Sequence, residues 1–327
     1  MSCRARGIIR LLALVLAMPA SSSAADPARL ASALEAARQR SSDWEGLHMV
    51  AECQRDGPME AVEIWGSGVG VWNRTRQIRI PNAGISRLLA EFEASRFTAM
   101  PETFGGRPQA LPPPRVSEGV MATEVICLVQ LELAVDGETE SKSVVQLRLG
   151  RQSAELRALA ESFFEVAAGP ARQGTEASSL TDGLRKIGTG ELAPELLFVL
   201  AQRRMEGPEP EPTEQVDSSG FLLRLRNLQL TRRELATVGE NAPATTSGLA
   251  ADRVRRLAAR LAALQPDELP HNLYAPHYTD VAIEILQHRV ALQARRFDRL
   301  TPTSLGAQQA RFDDLYASLV ELRDAGD

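Results

Sequence analysis

The sequence predicts an α+β fold of two tandem modules, each an antiparallel sheet with helices packed on one face, in the order hairpin, helix, hairpin, helix. Short apolar segments with period-two alternation predict the strands, and apolar residues at helical spacing predict the helices. The third observation is a repeat. The stretch RLLAEFEASRFTAMPETF at 87–104 returns as RLAARLAALQPDELPHNL at 256–273, and a shift of 169 residues places Pro101 on Pro270.

A second alignment extends the repeat. A shift of 156 residues places Val125 on Val281 in a predicted strand, and Leu156 on Phe312 in a predicted helix. A strand period and a helix period held in one register are harder to match by chance than either period alone. The pattern favours internal duplication, and two unrelated α+β domains with similar patterns are the alternative.

The first module is expected at 44–168, behind an alanine-rich N-terminal helix at 26–43. Turn residues bound its strands, and Gly66 and Gly68 supply the tightest hairpin. Its predicted strands lie at 47–53, 61–65, 69–73, 76–80, 124–135 and 142–149, and its predicted helices at 85–97 and 153–167.

The second module is expected at 183–324, after a linker at 169–182 that is small, polar and without periodicity. It follows the same plan as the first module. Its predicted strands lie at 195–203, 219–230, 280–286 and 290–297, and its predicted helices at 250–264 and 307–322.

Residues 1–25 predict a cleavable signal peptide. Arginines precede the apolar run LLALVLAM, and the small residues PASSSAA follow it. The run is too short to span a bilayer, so we expect no integral membrane segment after cleavage. These features predict an exported protein, either periplasmic or extracellular.

Charge argues against one class of partner. The chain has 37 basic and 42 acidic residues, and removing the three arginines of the leader changes the net charge from −5 to −8. Binding to nucleic acid needs concentrated positive charge, so we expect no nucleic-acid partner.

Two cysteines remain after cleavage, Cys53 and Cys127. In an oxidising compartment such a pair predicts one disulfide, and two buried thiols are the alternative.

The richest group of chemically useful residue types lies near 271–288. His271, His277, Asp280, Glu284 and His288 are of the types that bind metals or transfer protons. They do not have a fixed metal-binding spacing such as H-E-x-x-H, so surface or hydrogen-bonding roles are favoured over a metal or catalytic site. The sequence has no G-x-S-x-G nucleophile elbow and no phosphate-binding glycine loop, and it implies no cofactor.

A basic stripe is predicted on the first helix of the second module. Arg253, Arg256 and Arg260 share one helical face and would suit a carboxylate-rich partner or an envelope polysaccharide. Arg224, Arg226, Arg232 and Arg233 lie nearby in the sequence, in or just after a predicted strand. A solvated face, balanced by the acidic background, is the favoured alternative.

The first module resembles an uncharacterised family of small bacterial exported domains, a domain of unknown function numbered 6438. The shared pattern is a cysteine before a strand, a glycine hairpin, a strand ending in an aromatic residue, and a helix closing in an F-x-x-hydrophobic turn. The residues that carry it are Cys53, Ile64, Gly68, Trp72, Leu88, Leu89, Phe97 and Met100. The resemblance implies a fold and an export route but no activity, and the second half would be a divergent copy. The family often has a second cysteine and a Pro-aromatic pair just after the first cysteine, where this chain has Pro58-Met59. The family usually has an acidic residue in the hairpin turn, where this chain has Ser67.

These observations favour a non-catalytic binding or interaction module of the bacterial cell envelope, with an unidentified protein or envelope component as its partner. The alternative is a small periplasmic hydrolase or metal-dependent enzyme with a site near 271–288.

Overall fold

The computed structural model describes residues 27–44, 46–54, 57–104, 125–135, 138–148, 153–204, 220–235, 242–274, 278–295 and 306–324. These ranges contain six α-helices and two sheets, so the α+β class predicted from the sequence is confirmed. Contacts divide the chain into two compact units, one within 1–70 and 80–168, the other within 71–79 and 169–327. The predicted signal peptide lies outside the described residues.

The first sheet has eight strands in the order β5-β7-β6-β1-β2-β3-β4-β8. Its strands are β1 (His48–Gln54), β2 (Met59–Trp65), β3 (Val69–Trp72), β4 (Arg76–Arg79), β5 (Thr103–Phe104), β6 (Val125–Val135), β7 (Glu138–Leu147) and β8 (Thr175–Glu176). The helices of this part of the chain are α1 (Pro27–Gln39), α2 (Asn82–Ala94) and α3 (Ala154–Ala171).

The second sheet has seven strands in the order β12-β11-β10-β9-β14-β15-β13. Its strands are β9 (Phe198–Arg204), β10 (Gly220–Arg226), β11 (Gln229–Leu235), β12 (Thr245–Gly248), β13 (Asn272–Tyr274), β14 (Tyr278–Ile285) and β15 (His288–Arg295). The helices are α4 (Leu180–Thr189), α5 (Ala251–Ala263) and α6 (Gly306–Asp324). Of the helices in the described ranges, none is both long and apolar enough to cross a membrane.

Aromatic side chains form the centre of the first unit's core. Phe92 of α2 meets Phe163 of α3 edge to face, with ring centroids 5.7 Å apart, and meets Phe97 in the same way at 4.9 Å. All three rings are fully buried. Burying a side chain of this size contributes about 1.5–3 kcal/mol each, so this cluster fixes how the two helices lie.

Helix α4 was not predicted from the sequence, because Gly183 and Gly188 weaken its helical signal. Packing overrides that weakness. A Cβ atom at Gly188 would lie 3.1 Å from the Cβ of Ala259 in α5, so glycine lets the two helices approach closely. The side chain of Ser179 accepts a hydrogen bond from the backbone N–H of Asp182 at 3.1 Å and caps the helix.

Two expectations need correction. Neither sheet is purely antiparallel, because β5 pairs with β7, and β13 with β15, in parallel. In each sheet the antiparallel strand β6 or β14 lies between the two parallel partners in the sequence, so the partners run in the same direction. Residues 169–182, expected to be a linker, contain the end of α3, strand β8 and the start of α4.

The disulfide expected from the sequence is present between Cys53 and Cys127. The two residues lie directly opposite each other on β1 and β6, with Cα atoms 4.0 Å apart, and both side chains are buried. The bond therefore joins two neighbouring strands in the middle of the first sheet.

Replacing both cysteines with alanine should lower the free energy of unfolding by about 2–4 kcal/mol, because the disulfide closes a long loop in the unfolded chain. Equilibrium unfolding in guanidinium chloride measures this loss. The same measurement with added reductant is the control, since the reduced wild type should then approach the variant. Equal unfolding midpoints without reductant would contradict a stabilising role.

Candidate functional site

The first sheet has a polar face, which is the face opposite its helices. Alternation along β1 buries Met49 and Ala51 on the helix side and sends His48 and Glu52 to the other side. Cross-strand pairing adds the neighbours, because residues directly opposite each other share a face. The polar face of the first sheet therefore carries His48, Glu52, Glu63, Trp65, Gln130 and Glu132.

His48 lies at the centre of this face, with 2% of its surface exposed. Its Nδ1 atom is 2.9 Å from Oε2 of Glu132, and its Nε2 atom is 2.7 Å from Oε1 of Glu63. The ring stacks on Trp65 with centroids 5.4 Å apart. Gln130 donates a hydrogen bond to the other oxygen of Glu132 at 2.6 Å.

The two carboxylates decide the charge of His48. Burial alone would lower the pKa of His48, because desolvation disfavours the imidazolium ion. The hydrogen bonds to Glu132 and Glu63, and the negative charges of both residues, outweigh burial and raise the pKa to about 9. His48 is therefore a cation at neutral pH and donates a proton to each carboxylate.

This protonation state limits the chemistry of the cluster. An imidazolium ion has no free lone pair, so His48 can act neither as a general base nor as a metal ligand in this state. The side chains of Glu63 and Glu132 are 31% and 21% exposed, so solvent reaches the edge of the cluster. We describe these three residues as an ion triad that ties β2, β1 and β6 together.

The predicted polar site near 271–288 does not form a single cluster. Asp280 pairs with Gln293 on the polar side of the second sheet, whereas His288 pairs with Ile285, whose side chain lies in the core. Asp280 and His288 therefore point to opposite faces. Leu286, with φ of 53°, lies in the turn after β14, so Glu284 and His288 lie on different strands.

The histidines of that group bind the backbone. Nδ1 of His271 lies 3.1 Å from the carbonyl oxygen of Ala291, and Nε2 of His288 lies 2.8 Å from that of Ala177. His277 lies outside the described residues. Across the ranges that the structure describes, no three His, Cys, Asp or Glu side chains are grouped to hold a metal ion.

The predicted basic stripe lies on α5 as expected, and part of it is neutralised. Arg256 and Arg260 are exposed, and Arg253 is half-buried. Nη1 of Arg260 is 2.6 Å from a carboxylate oxygen of Glu321 on α6. An exposed pair of this kind contributes little to stability, and it reduces the local positive charge.

The second sheet carries a stronger basic feature on its own polar face. Alternation along β10 buries Phe221, Leu223 and Leu225, so the arginines between them lie on the opposite side. Pairing across β11 and β15 adds two more. We call the resulting set the arginine cluster, and it consists of Arg224, Arg226, Arg233 and Arg289. Asp280 and Glu284 lie on the same face, and Oε2 of Glu284 is 3.9 Å from Nε of Arg289, which reduces the positive charge of that arginine.

A shallow cleft of about 390 Å³ lies beside β4, where Gln77, Arg79, Gln173 and Thr175 supply polar lining atoms. The backbone N–H of Ala193 donates to Oε1 of Gln77 at 2.6 Å, so this side chain is already engaged. The cleft brings together no acid and base, and we assign it no chemistry.

Sequence reasoning missed the ion triad. The alternation of LHMVAEC places His48 and Glu52 on one face, and this was the available signal. The partners of His48 are 15 and 84 residues away in the chain, so only the strand register brings them together.

Substituting His48 with glutamine should remove a pH-dependent part of stability. The pKa of His48 is higher in the folded than in the unfolded chain, so its contribution is fully present below pH about 6.5 and is lost as pH rises through about 9. Urea unfolding across this interval should show a falling free energy of unfolding in the wild type and a flatter profile in the variant.

Exposed His271, substituted with glutamine, is the matched control and should keep the wild-type profile. Nuclear magnetic resonance should show the His48 ring titrating near pH 9. A His48 titration near the ordinary value would contradict the triad.

The chain matches no known protein-family model and no curated protein, so its function has to be argued from the geometry above.

Proposed function

We propose that the protein is a non-catalytic binding module of the bacterial cell envelope, exported by its N-terminal signal peptide. In this proposal the partner is acidic and is bound by the arginine cluster of the second sheet. The observation that supports it is the placement of Arg224, Arg226, Arg233 and Arg289 on one sheet face. The disulfide Cys53–Cys127 is compatible with an oxidising compartment.

The cluster suits an acidic partner for two reasons. Arg224, Arg226 and Arg233 are half-buried, so their charges are less screened by solvent than those of exposed arginines. Guanidinium groups also present paired N–H donors that match carboxylate oxygens. Against a chain whose net charge is negative, a local positive face favours acidic groups and steers them to one place.

We further propose that strands β9 to β15 with helices α4 to α6 are a divergent copy of strands β1 to β7 with helices α1 to α3. The strand orders support this, because β5-β7-β6-β1-β2-β3-β4 and β13-β15-β14-β9-β10-β11-β12 are the same path through each sheet. The parallel edge pair occurs in both. Helices α2 and α5 are each 13 residues long and 169 residues apart, and each is followed by one left-handed residue, Arg96 or Gln265.

The start of each copy gives independent support. A shift of 150 residues relates β1 to β9 and relates the buried residues of α1 to those of α4. These residues are Leu30, Leu34 and Ala37 in α1 and Leu180, Leu184 and Ile187 in α4. Each copy in this proposal thus begins with a helix, which moves α1 into the first copy and α4 into the second.

The strand alignment proposed from the sequence changes by four residues. Val129 pairs with Ala51, and Val281 pairs with Ala201, the residue equivalent to Ala51. Val281 therefore corresponds to Val129 at a shift of 152, not to Val125 at 156. The error left every side chain on its correct face, because a shift of four keeps the strand period.

Substituting Arg226 and Arg233 together with glutamine should weaken binding to an acidic polymer about tenfold, or about 1.4 kcal/mol. Poly-L-glutamate and alginate are the two probes, and interferometry on the mature chain at low and high salt measures binding. Wild-type affinity should fall as salt rises, because the interaction is between charges.

The matched control replaces Arg87 and Arg157, two exposed arginines of α2 and α3, with glutamine. This control removes the same charge and should bind like the wild type. Circular dichroism and thermal unfolding check that both variants are folded. Failure of the wild type to bind either polymer, or equal losses in both variants, would refute the proposal.

A further inference from the structure

Strands β4 and β12 hold equivalent positions in the two sheets, and they differ in what pairs with them. In the first sheet, the short strand β8 pairs antiparallel with the outer edge of β4. Register pairs Arg76 with Glu176 and Gln77 with Thr175. Nε of Arg76 donates to the carboxylate of Glu176 at 2.8 Å, so the backbone pairing is reinforced by an ion pair.

Strand β12 ends the second sheet. It pairs with β11 on one side, and in the described part of the chain no strand pairs with its other edge. Thr245, Thr246 and Gly248 are exposed, and Ser247 is half-buried. An exposed edge presents unpaired backbone N–H and C=O groups that can take a further strand.

Strand β12 is short, with four residues, but it lacks the charged side chains and proline that block many sheet edges. Its sequence, TTSG, contains no lysine, no other charged residue and no proline. Thr246 is held in register by a hydrogen bond of 3.1 Å between its hydroxyl and that of Thr231. The edge is therefore ordered as well as exposed.

The surroundings of β12 are basic. Arg232 of β11 is directly opposite Thr245 and shares the helix side of the sheet with Leu223, whereas Arg233, the next residue, lies on the polar side. Arg224 and Arg226 lie on the next strand, β10. In the first sheet, Arg76 on β4 pairs with Glu176 on β8. In the second sheet, β12 has no arginine, and the arginines lie on its neighbours β11 and β10.

We propose that β12 is a strand-addition site for an extended acidic peptide segment of a partner protein. The segment pairs antiparallel with β12, as β8 does with β4, and the positive charge of the arginines on β11, the strand next to β12, attracts its acidic side chains. Backbone hydrogen bonds supply binding that is independent of side-chain identity, and the arginines select for acidic sequences. This inference deepens the proposed function and rests on it, and it also uses the proposed equivalence of the two copies.

Two synthetic octapeptides of equal charge test the site on the full mature chain. One alternates threonine and glutamate and so extends the Thr175–Glu176 pair of β8. The other alternates proline and glutamate, and each proline removes a backbone N–H that a ladder needs. We expect the threonine peptide to bind at least about tenfold more tightly, since only it can form the strand.

Hydrogen exchange locates the contact. The threonine peptide should slow exchange of the β12 amides, residues 245–248, and leave the amides of β4 unchanged. The double substitution of Arg226 and Arg233 should weaken binding of both peptides, because it removes charge and leaves the edge intact.

The outcomes separate the two proposals. Equal binding of both peptides, with no protection at β12, would overturn strand addition and leave the acidic-partner function standing. Binding of poly-L-glutamate without binding of the threonine peptide would also overturn strand addition and leave the acidic-partner function standing. Failure of every acidic probe would overturn both. A peptide-free dimer with protected β12 amides would show that a second copy of the chain occupies the edge, and would overturn the partner proposed here.

Discussion

The rest of this structure depends on one constraint, which is that the side chains of a β-strand alternate between two faces. Each central strand must bury one row of apolar side chains beneath helices, and period-two alternation then forces the intervening residues onto the opposite face. Met49 and Ala51 take the buried row in β1, and Leu223 and Leu225 take it in β10. The chemistry of both polar faces is a consequence of that division, because their residues are the ones that the core does not use.

The two polar faces differ in the arrangement of their charged residues. On the first sheet, a buried imidazolium between Glu63 and Glu132 offsets the cost of burying charge through two charge-assisted hydrogen bonds. Such an arrangement holds three strands in register but offers a ligand little free hydrogen-bonding capacity at His48. On the described part of the second sheet, four arginines share a face with two carboxylates, Asp280 and Glu284, and Glu284 pairs with Arg289. The first arrangement suits stability, and the second suits recognition.

Alternation and helical periodicity, both local properties, account for what could be predicted. They predicted the α+β class, most strands, and the helices around Leu88 and Leu257. They could not predict β5, because a two-residue strand has no period, or α4, whose glycines are explained only by close contacts in the folded chain, of Gly188 with Ala259 of α5 and of Gly183 with Ile285 of β14. The ion triad depends on register between strands that are distant in sequence, and register comes from the whole sheet. For the same reason, the residues near 271–288 looked like a cluster in sequence, although Asp280 and His288 lie on opposite faces of the sheet.

Comparison of equivalent positions suggests how one architecture can support two roles. At the pair where the first sheet has its disulfide, Cys53 and Cys127, the second sheet has Arg203 opposite Thr279. Both second-sheet residues are buried, so a covalent link in one unit corresponds to a polar pair in the other. Under the duplication proposed above, the first copy has a cross-linked central strand pair and a closed ion triad. The second copy has no cross-link at this pair and has arginines on its polar face. Residues on the polar face and on edge strands contribute little to the core between sheet and helices. They can therefore be substituted in one copy without loss of the fold.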